Sequence, residues 1–400
     1  MKNQNLPKPV WIIIEPFFFI HSVGYMRAIL QDKYARDNYE LVYIYGESGV
    51  ETSSLVEELQ LEAEDSINFV KVGMSHCLPL GRIARILLRS WRVMRVANKL
   101  ASKHNAKAIS ILRVDDLILL LAIPGMQSCF SNIRSQATGV FFNSRCFREG
   151  SITMRLLSRT VRRVLQRGFF KKVLFLDHGV CGTVRSCLNT EAKNIVGEAI
   201  DPWTSGPEFE YQSQITDDSR TTLLTFGAHS GRKGTLDLLK MFRDYPLELK
   251  SFKLLIAGPI RDDIEEEFAG LMAEIDNSSE KIECVDKYIS DKDSWRYFLR
   301  SQIVLCPYVD FHGSSNVTIR AAAVGVPVVA PIFGFLGEVV EHNKIGATYK
   351  NQEPAAILDA VIEVQRKLNS DAQEIKENCK RYARFHNASR YVYSLLALTK

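Results

Sequence analysis

The sequence predicts an α/β chain of two doubly wound parallel sheets, each wrapped by helices. Three observations predict it. Short apolar runs, rich in β-branched and aromatic residues, alternate with helical patterns along the chain, as repeated β–α units require. Most runs are apolar at consecutive positions, which suits strands buried on both faces. A polar stretch opening with Pro202-Trp203-Thr204-Ser205-Gly206-Pro207 interrupts the alternation near the middle, after which the pattern restarts. The 400 residues are 46% hydrophobic and 24% charged. That is ordinary globular usage and excludes disordered, collagenous and low-complexity classes.

In the first half the runs place strands at 10–14, 40–45, 67–72, 107–112, 138–142, 172–177 and 194–197. Helical patterns lie at 23–34, 82–104, 115–122 and 151–167. The second half repeats the scheme with strands at 221–226, 252–257, 281–285, 302–306 and 326–330. Its helices lie at 234–243, 262–275, 291–300, 316–324 and 354–368, and 371–398 closes the chain as a helix. The expected division is an N-terminal domain at 1–205, a linker at 206–220, a C-terminal domain at 221–380, and a last helix at 381–400 packing back on the first domain. Two such domains are expected to face a cleft, with ligands beyond the carboxyl ends of the strands.

The longest apolar stretches, 10–20 and 117–125, are too short to span a bilayer. Glu15 and Pro16 interrupt the first, so no secretory signal is read there. The eight cysteines form no C-x-x-C pair, which predicts reduced thiols rather than a disulfide framework or a zinc site. A cytoplasmic protein without metal or cofactor is expected.

Charge is distributed unevenly. Residues 81–172 hold 19 Lys and Arg against 3 Asp and Glu, while the rest of the chain has 32 against 43. Such a block usually faces an anionic partner. Arg82, Arg85, Arg89, Arg92, Arg95, Lys99 and Lys103 recur at helical spacing, with Ile83, Leu87, Trp91 and Val96 among them. Arg155, Arg159, Arg162, Arg163 and Arg167 recur in a second segment, which continues to Lys171 and Lys172. Two basic amphipathic helices, 82–103 and 155–172, read as a patch for an anionic membrane surface, at the inner face of the membrane. A plain solvated helix face fits the same pattern. A nucleic-acid partner is not expected, because no zinc finger or RNP-type aromatic pair accompanies the cations.

Three elements of the second half carry chemistry. Thr225-Phe226-Gly227-Ala228-His229-Ser230-Gly231-Arg232-Lys233-Gly234 ends a strand and opens a helix. Its glycines allow a phosphate to approach the backbone, and Arg232 and Lys233 can neutralise a diphosphate. It lacks the P-loop order, and an ordinary βα turn is the alternative. Second, Cys306-Pro307-Tyr308-Val309-Asp310-Phe311-His312-Gly313-Ser314-Ser315-Asn316-Val317-Thr318 ends a strand and enters the helix carrying Arg320. Ser315 or Asn316 is the natural N-cap. Third, Gly334-Phe335-Leu336-Gly337-Glu338 is a glycine turn into a helix, where Glu338 otherwise reads as a solvated first-turn carboxylate.

In this order the three elements, with Leu254-Leu255-Ile256-Ala257-Gly258-Pro259 and Gly325-Val326-Pro327-Val328-Val329, resemble the donor domain of group 1, or family 4, glycosyltransferases. The resemblance spans 221–350; in the first half it is only general. It implies a GT-B fold and transfer of a sugar, with retention and without a metal, from a nucleotide-sugar substrate to a hydroxyl of a glycan or lipid-linked acceptor in polysaccharide or glycoconjugate biosynthesis. It implies catalytic roles for Lys233, with Arg232 replacing an Arg whose position aligns with Ala228, and for His312. It also implies donor contacts from Gly227, His229, Ser230, Gly313, Ser314, Ser315, Asn316, Val317, Thr318, Arg320 and Glu338. The family carries two Glu separated by seven residues; His312 and Arg320 occupy those positions here. An Arg has donors only and cannot hold a ribose diol as a carboxylate does. On the acceptor side the candidates are Gly24, Asp115 and Asn143. A GT-B chain kept as a binding or scaffold protein is the alternative, and a nucleotide-sugar epimerase on the same architecture is a third reading.

Overall fold

The computed structural model describes residues 7–18, 20–47, 50–63, 67–73, 81–142, 144–202, 220–275 and 281–397. These form two compact units, one of residues 7–202 with 387–397 and one of 220–386.

The first unit is built on β1 (Val10–Glu15), β2 (Glu40–Gly46), β3 (Ile67–Val72), β4 (Ala108–Ile111), β5 (Ala137–Phe141), β6 (Lys172–Phe175) and β7 (Val196–Glu198). They pair in parallel in the order β3-β2-β1-β4-β5-β6-β7. All of β1 is buried, as its unbroken apolar run requires, and its pleat sorts side chains to two cores. Val10, Ile12 and Ile14 pack with Val93 and Ala97 of the helix Arg82–Lys103, Leu121 of Ile118–Ala122, and Val161 and Val164 of Ile152–Gln166. Trp11 and Ile13 face the other core, with Met26 and Ile29 of Ile20–Gln31 and Tyr391 and Val392 of Ala388–Leu395. That last helix is fixed edge-on, the rings of Tyr25 and Tyr391 lying 5.5 Å apart. Tyr25 in turn donates to Asp201 Oδ1 at 2.6 Å.

The second unit holds β8 (Thr221–Phe226), β9 (Phe252–Ala257), β10 (Ile282–Val285), β11 (Ile303–Leu305), β12 (Val328–Pro331) and β13 (Gly346–Tyr349). They are parallel in the order β10-β9-β8-β11-β12-β13. Strand order reverses between β8 and β11, the place where doubly wound sheets hold ligands.

The expected strands and helices recur within a few residues, with exceptions. The closing segment is not one helix over 371–398. A helix Pro354–Phe385 bends at Asp371, where φ is −139°, and a separate helix Ala388–Leu395 follows. The stretch 115–122 begins as a 3-10 turn, Val114–Leu117, before the helix Ile118–Ala122. The helices Val50–Ala63 and His178–Ser186 and strand β13 were not expected. Most of the 206–220 linker lies outside the described residues.

Candidate active site

β8 and β11 are neighbours, so the turns after them meet at the carboxyl edge of the second sheet. The first turn is tied down by backbone bonds. Gly227 N–H donates to Ala257 O, His229 N–H to Pro259 O, and Lys233 N–H to Ser230 O. Gly227 has φ +106°, and a Cβ there would stand 3.3 Å from Lys233 Nζ. Gly234, φ +65°, lies so close to the second turn that a Cβ would come within 1.8 Å of Pro307 O. Val309 N–H donates to Arg232 O, which joins the two turns again. Gly234→Ala is therefore expected to cost about 2 kcal/mol in denaturant unfolding, from left-handed backbone strain plus the clash.

Lys233 is half-buried between the turns. Its Nζ donates to Phe226 O at 3.3 Å and to Tyr308 Oη at 3.1 Å, and lies 4.4 Å from the centre of the Tyr308 ring. Tyr308 Oη is 3.2 Å from Ser315 Oγ. Ser315 is the N-cap of the helix Asn316–Ala323, its Oγ accepting from Thr318 N–H. Lys233, Tyr308 and Ser315 thus form one chain from the first turn to the start of that helix. No carboxylate contacts Lys233 or the exposed Arg232 among the described residues. Burial, with the neighbouring Arg232 charge, pushes the Lys233 ammonium down to about 8. A cation held against desolvation with no counterion, beside a helix N-terminus, is a site prepared for an anion.

His229 and Thr318 have a different place. His229 is fully buried; its Nδ1 is 2.8 Å from Thr235 Oγ1 and its Nε2 has no partner. Burial and then the Lys233 charge push its pKa down to about 4, so the ring is neutral at pH 7. Thr318 is buried against Cys306, 3.8 Å from its Sγ. Neither side chain is presented at the surface of the turn. Gly227, Ser230, Gly313, Ser314, Asn316 and Val317 are partly exposed around it.

His312 follows Asp310, whose φ is +51°. Its Nε2 lies 3.3 Å from Asp310 Oδ1, while its buried Nδ1 has no partner. Gly334, φ +74°, lets the helix Gly334–Asn343 start against this loop; a Cβ there would meet Phe311 O at 2.8 Å. Glu338 is exposed on that helix, and Gly337 is required by close packing on the Pro331 and Ile332 carbonyls. Arg320 is committed elsewhere. It pairs with Asp291 at 2.5 Å and donates to Ser294 Oγ and Asn316 Oδ1, which pins its helix to Asp291–Arg300.

Residues 220–367, which include every one of these groups, match the family of group 1 glycosyl transferases. The chain carries a group 1 glycosyltransferase domain. No curated protein matches the sequence. Solved structures match nearly its whole length. The N-terminal domain of trehalose-6-phosphate phosphatase from Candida albicans superposes with a TM-score of 0.68 at 10% identity, covering 99% of this chain and 97% of that one. A glycosyltransferase from Rickettsia africae gives 0.66 at 14% identity, covering 98% and 96%. HepE of Anabaena, solved in complex with UDP, gives 0.66 at 13% identity, covering 96% of each. At such identities the likeness is one of fold, and that fold is GT-B.

Outside the glycosyltransferase domain, the acceptor-side candidates are spread along the first unit. Gly24 lies inside the helix Ile20–Gln31, not in a turn, with open space where a Cβ would be. Asp115 accepts from Phe142 N–H at 2.8 Å and so ties the ends of β4 and β5 together. Asn143 lies outside the described residues. Asp177, at the end of β6, is buried, caps the helix His178–Ser186, and pairs with Arg148 at 2.5 Å. Sequence reasoning did not single out Tyr308, which joins Lys233 to Ser315. Nor did it find the buried Glu15, which accepts from Ser22 Oγ and from Tyr43 Oη. Among the described residues no three His, Cys, Asp or Glu are grouped to hold a metal ion.

Proposed function

We propose that the protein transfers a sugar from a nucleoside diphosphate sugar to a hydroxyl of a glycan or lipid-linked acceptor, with retention and without a metal, in polysaccharide or glycoconjugate synthesis. It does so in the cytoplasm, at the surface of an anionic membrane. The observation that carries this reading is Lys233, a desolvated cation without a counterion, set at the switch point of a group 1 glycosyltransferase domain. In the reaction the acceptor oxygen bonds to the anomeric carbon while the bond from that carbon to the phosphate oxygen breaks, and the acceptor's hydroxyl proton passes to the departing diphosphate. The negative charge that gathers on the departing diphosphate is met by Lys233, by Arg232 and by the start of the helix Asn316–Ala323. UDP is the first nucleotide to try, since the HepE structure holds it.

Arg320 favours a second reading. Locked to Asp291, it offers a ribose no acceptor, as a chain kept for binding alone would tolerate. Titration calorimetry with UDP, GDP, ADP and CMP separates the two. Binding of one nucleotide, followed by its release from the matching sugar nucleotide, is the expected result. Binding of none at millimolar concentration would leave the scaffold reading.

A further inference from the structure

We propose that one helical layer of the first unit is a two-component dock for an anionic bilayer, in which arginines meet headgroups and exposed aliphatic side chains enter the acyl boundary. This names the face and the contact chemistry of the membrane partner, and rests on the first unit alone. Three helices, Arg82–Lys103, Ile118–Ala122 and Ile152–Gln166, cover the same side of the first sheet, and the middle one touches both others. Their outward faces carry Arg85, Arg95, Lys99, Arg155, Arg159 and Arg163, all exposed. The 3 acidic residues of the block 81–172 are engaged elsewhere: Asp115 by Phe142 N–H, Asp116 by Arg113, and Glu149 by Arg145. The six cations therefore pair with no carboxylate among the described residues. Between them stand large aliphatic side chains out of the core: Ile152 at 78% exposure, Ile83 at 63% and Leu156 at 56%, with Leu119 on the middle helix and Ile123 just past its end.

The aliphatic groups decide the partner. A nucleic-acid backbone uses only the cations and offers nothing to Ile152 or Leu156. An acidic protein surface would be matched by charge but not by isolated aliphatics spread among arginines. Headgroups above an acyl boundary satisfy both, as amphipathic interfacial helices do. No described helix is long and apolar enough to cross the membrane, and the layer would lie on it.

The test is sedimentation of the full chain with vesicles of phosphatidylcholine alone, and of phosphatidylglycerol and phosphatidylcholine in equal parts. Strong binding is expected only to the anionic vesicles. Each cation at the surface contributes roughly fivefold, so Arg85→Gln, Arg159→Gln and Arg163→Gln together should weaken binding roughly 100-fold. Raising salt should weaken it too, leaving a residue of binding that Ile152→Ser with Leu156→Ser removes. These positions are exposed, so the variants should keep the wild-type melting temperature. Equal binding to both vesicle types, or binding unchanged in the triple variant, would overturn the proposal. So would tighter binding to duplex DNA that the serine variant leaves intact. The readout contains no nucleotide, so it fails or succeeds independently of sugar transfer.

Discussion

Replacing Lys233 with alanine is expected to lower sugar transfer by about 100- to 1,000-fold, the usual loss when a fixed donor to transition-state charge is removed. Nucleoside diphosphate binding should fall with it, because the ammonium has no other counterion among the described residues. Arg232 is exposed, so Arg232→Ala should lose less. The pH dependence carries a second signature. The free ammonium titrates near 8, pushed down by burial. A bound diphosphate holds it protonated, so affinity should be flat below that pH and fall roughly tenfold per unit above it. Stability should move the other way. Lys233 ionises in the unfolded chain more readily than in the folded one, so at pH 7 its charge costs stability. Lys233→Met should therefore raise Tm while removing nucleotide binding. Loss of binding with a lower Tm would mark Lys233 as a structural residue instead. Calorimetry and thermal melting of the same samples read both.

The parts of this protein legible in its sequence are those with a local period or a local steric demand. β1, from Val10 to Ile14, and β11 show as unbroken apolar runs because both sheet faces are covered. The helix Arg82–Lys103 shows because its cations and apolar groups repeat at helical spacing. Ser315 shows as a cap because capping is decided within three residues. The order of the glycine turns made the glycosyltransferase resemblance visible. What stayed hidden is made between distant segments. Arg320 reads as a free cation beside a ligand, and only the packing of two helices brings Asp291 and Ser294 to it. His229 reads as part of a phosphate turn, and only the burial of that turn under the 257–261 segment shows its ring to be neutral and enclosed. The helix Val50–Ala63, rich in Glu and Ser, offered too weak an apolar stripe to be read.

Glu15 was visible only as the residue that, with Pro16, interrupts the first apolar stretch, yet it should make the stability of the first unit depend on pH between 4.5 and 7. It is buried, 1% exposed, with Ser22 Oγ and Tyr43 Oη donating to its two oxygens. Burial pushes its pKa up to about 7 against an ordinary 4.5, outweighing those two bonds and the Arg113 charge. Below pH 4.5 the carboxyl is protonated in both folded and unfolded chains, and no stability is lost. As pH rises from 4.5 towards 7 the unfolded chain releases the proton first, and stability falls by about 3 kcal/mol before levelling off. Glu15→Gln mimics the protonated acid and should remove that slope. It should gain about 3 kcal/mol at pH 8 and nothing at pH 4 in denaturant unfolding. Glu15→Ala should instead lose stability at both, since it leaves the Ser22 and Tyr43 hydroxyls without their acceptor. The same variants bear on function, because β1 lies beside β4 where the order of the first sheet reverses. A glutamine variant that is more stable at pH 8 and equally active would make the carboxyl a purely structural strand end. A gain in stability with a loss of transfer would mean that the first unit keeps a destabilising carboxylate there for its ligand.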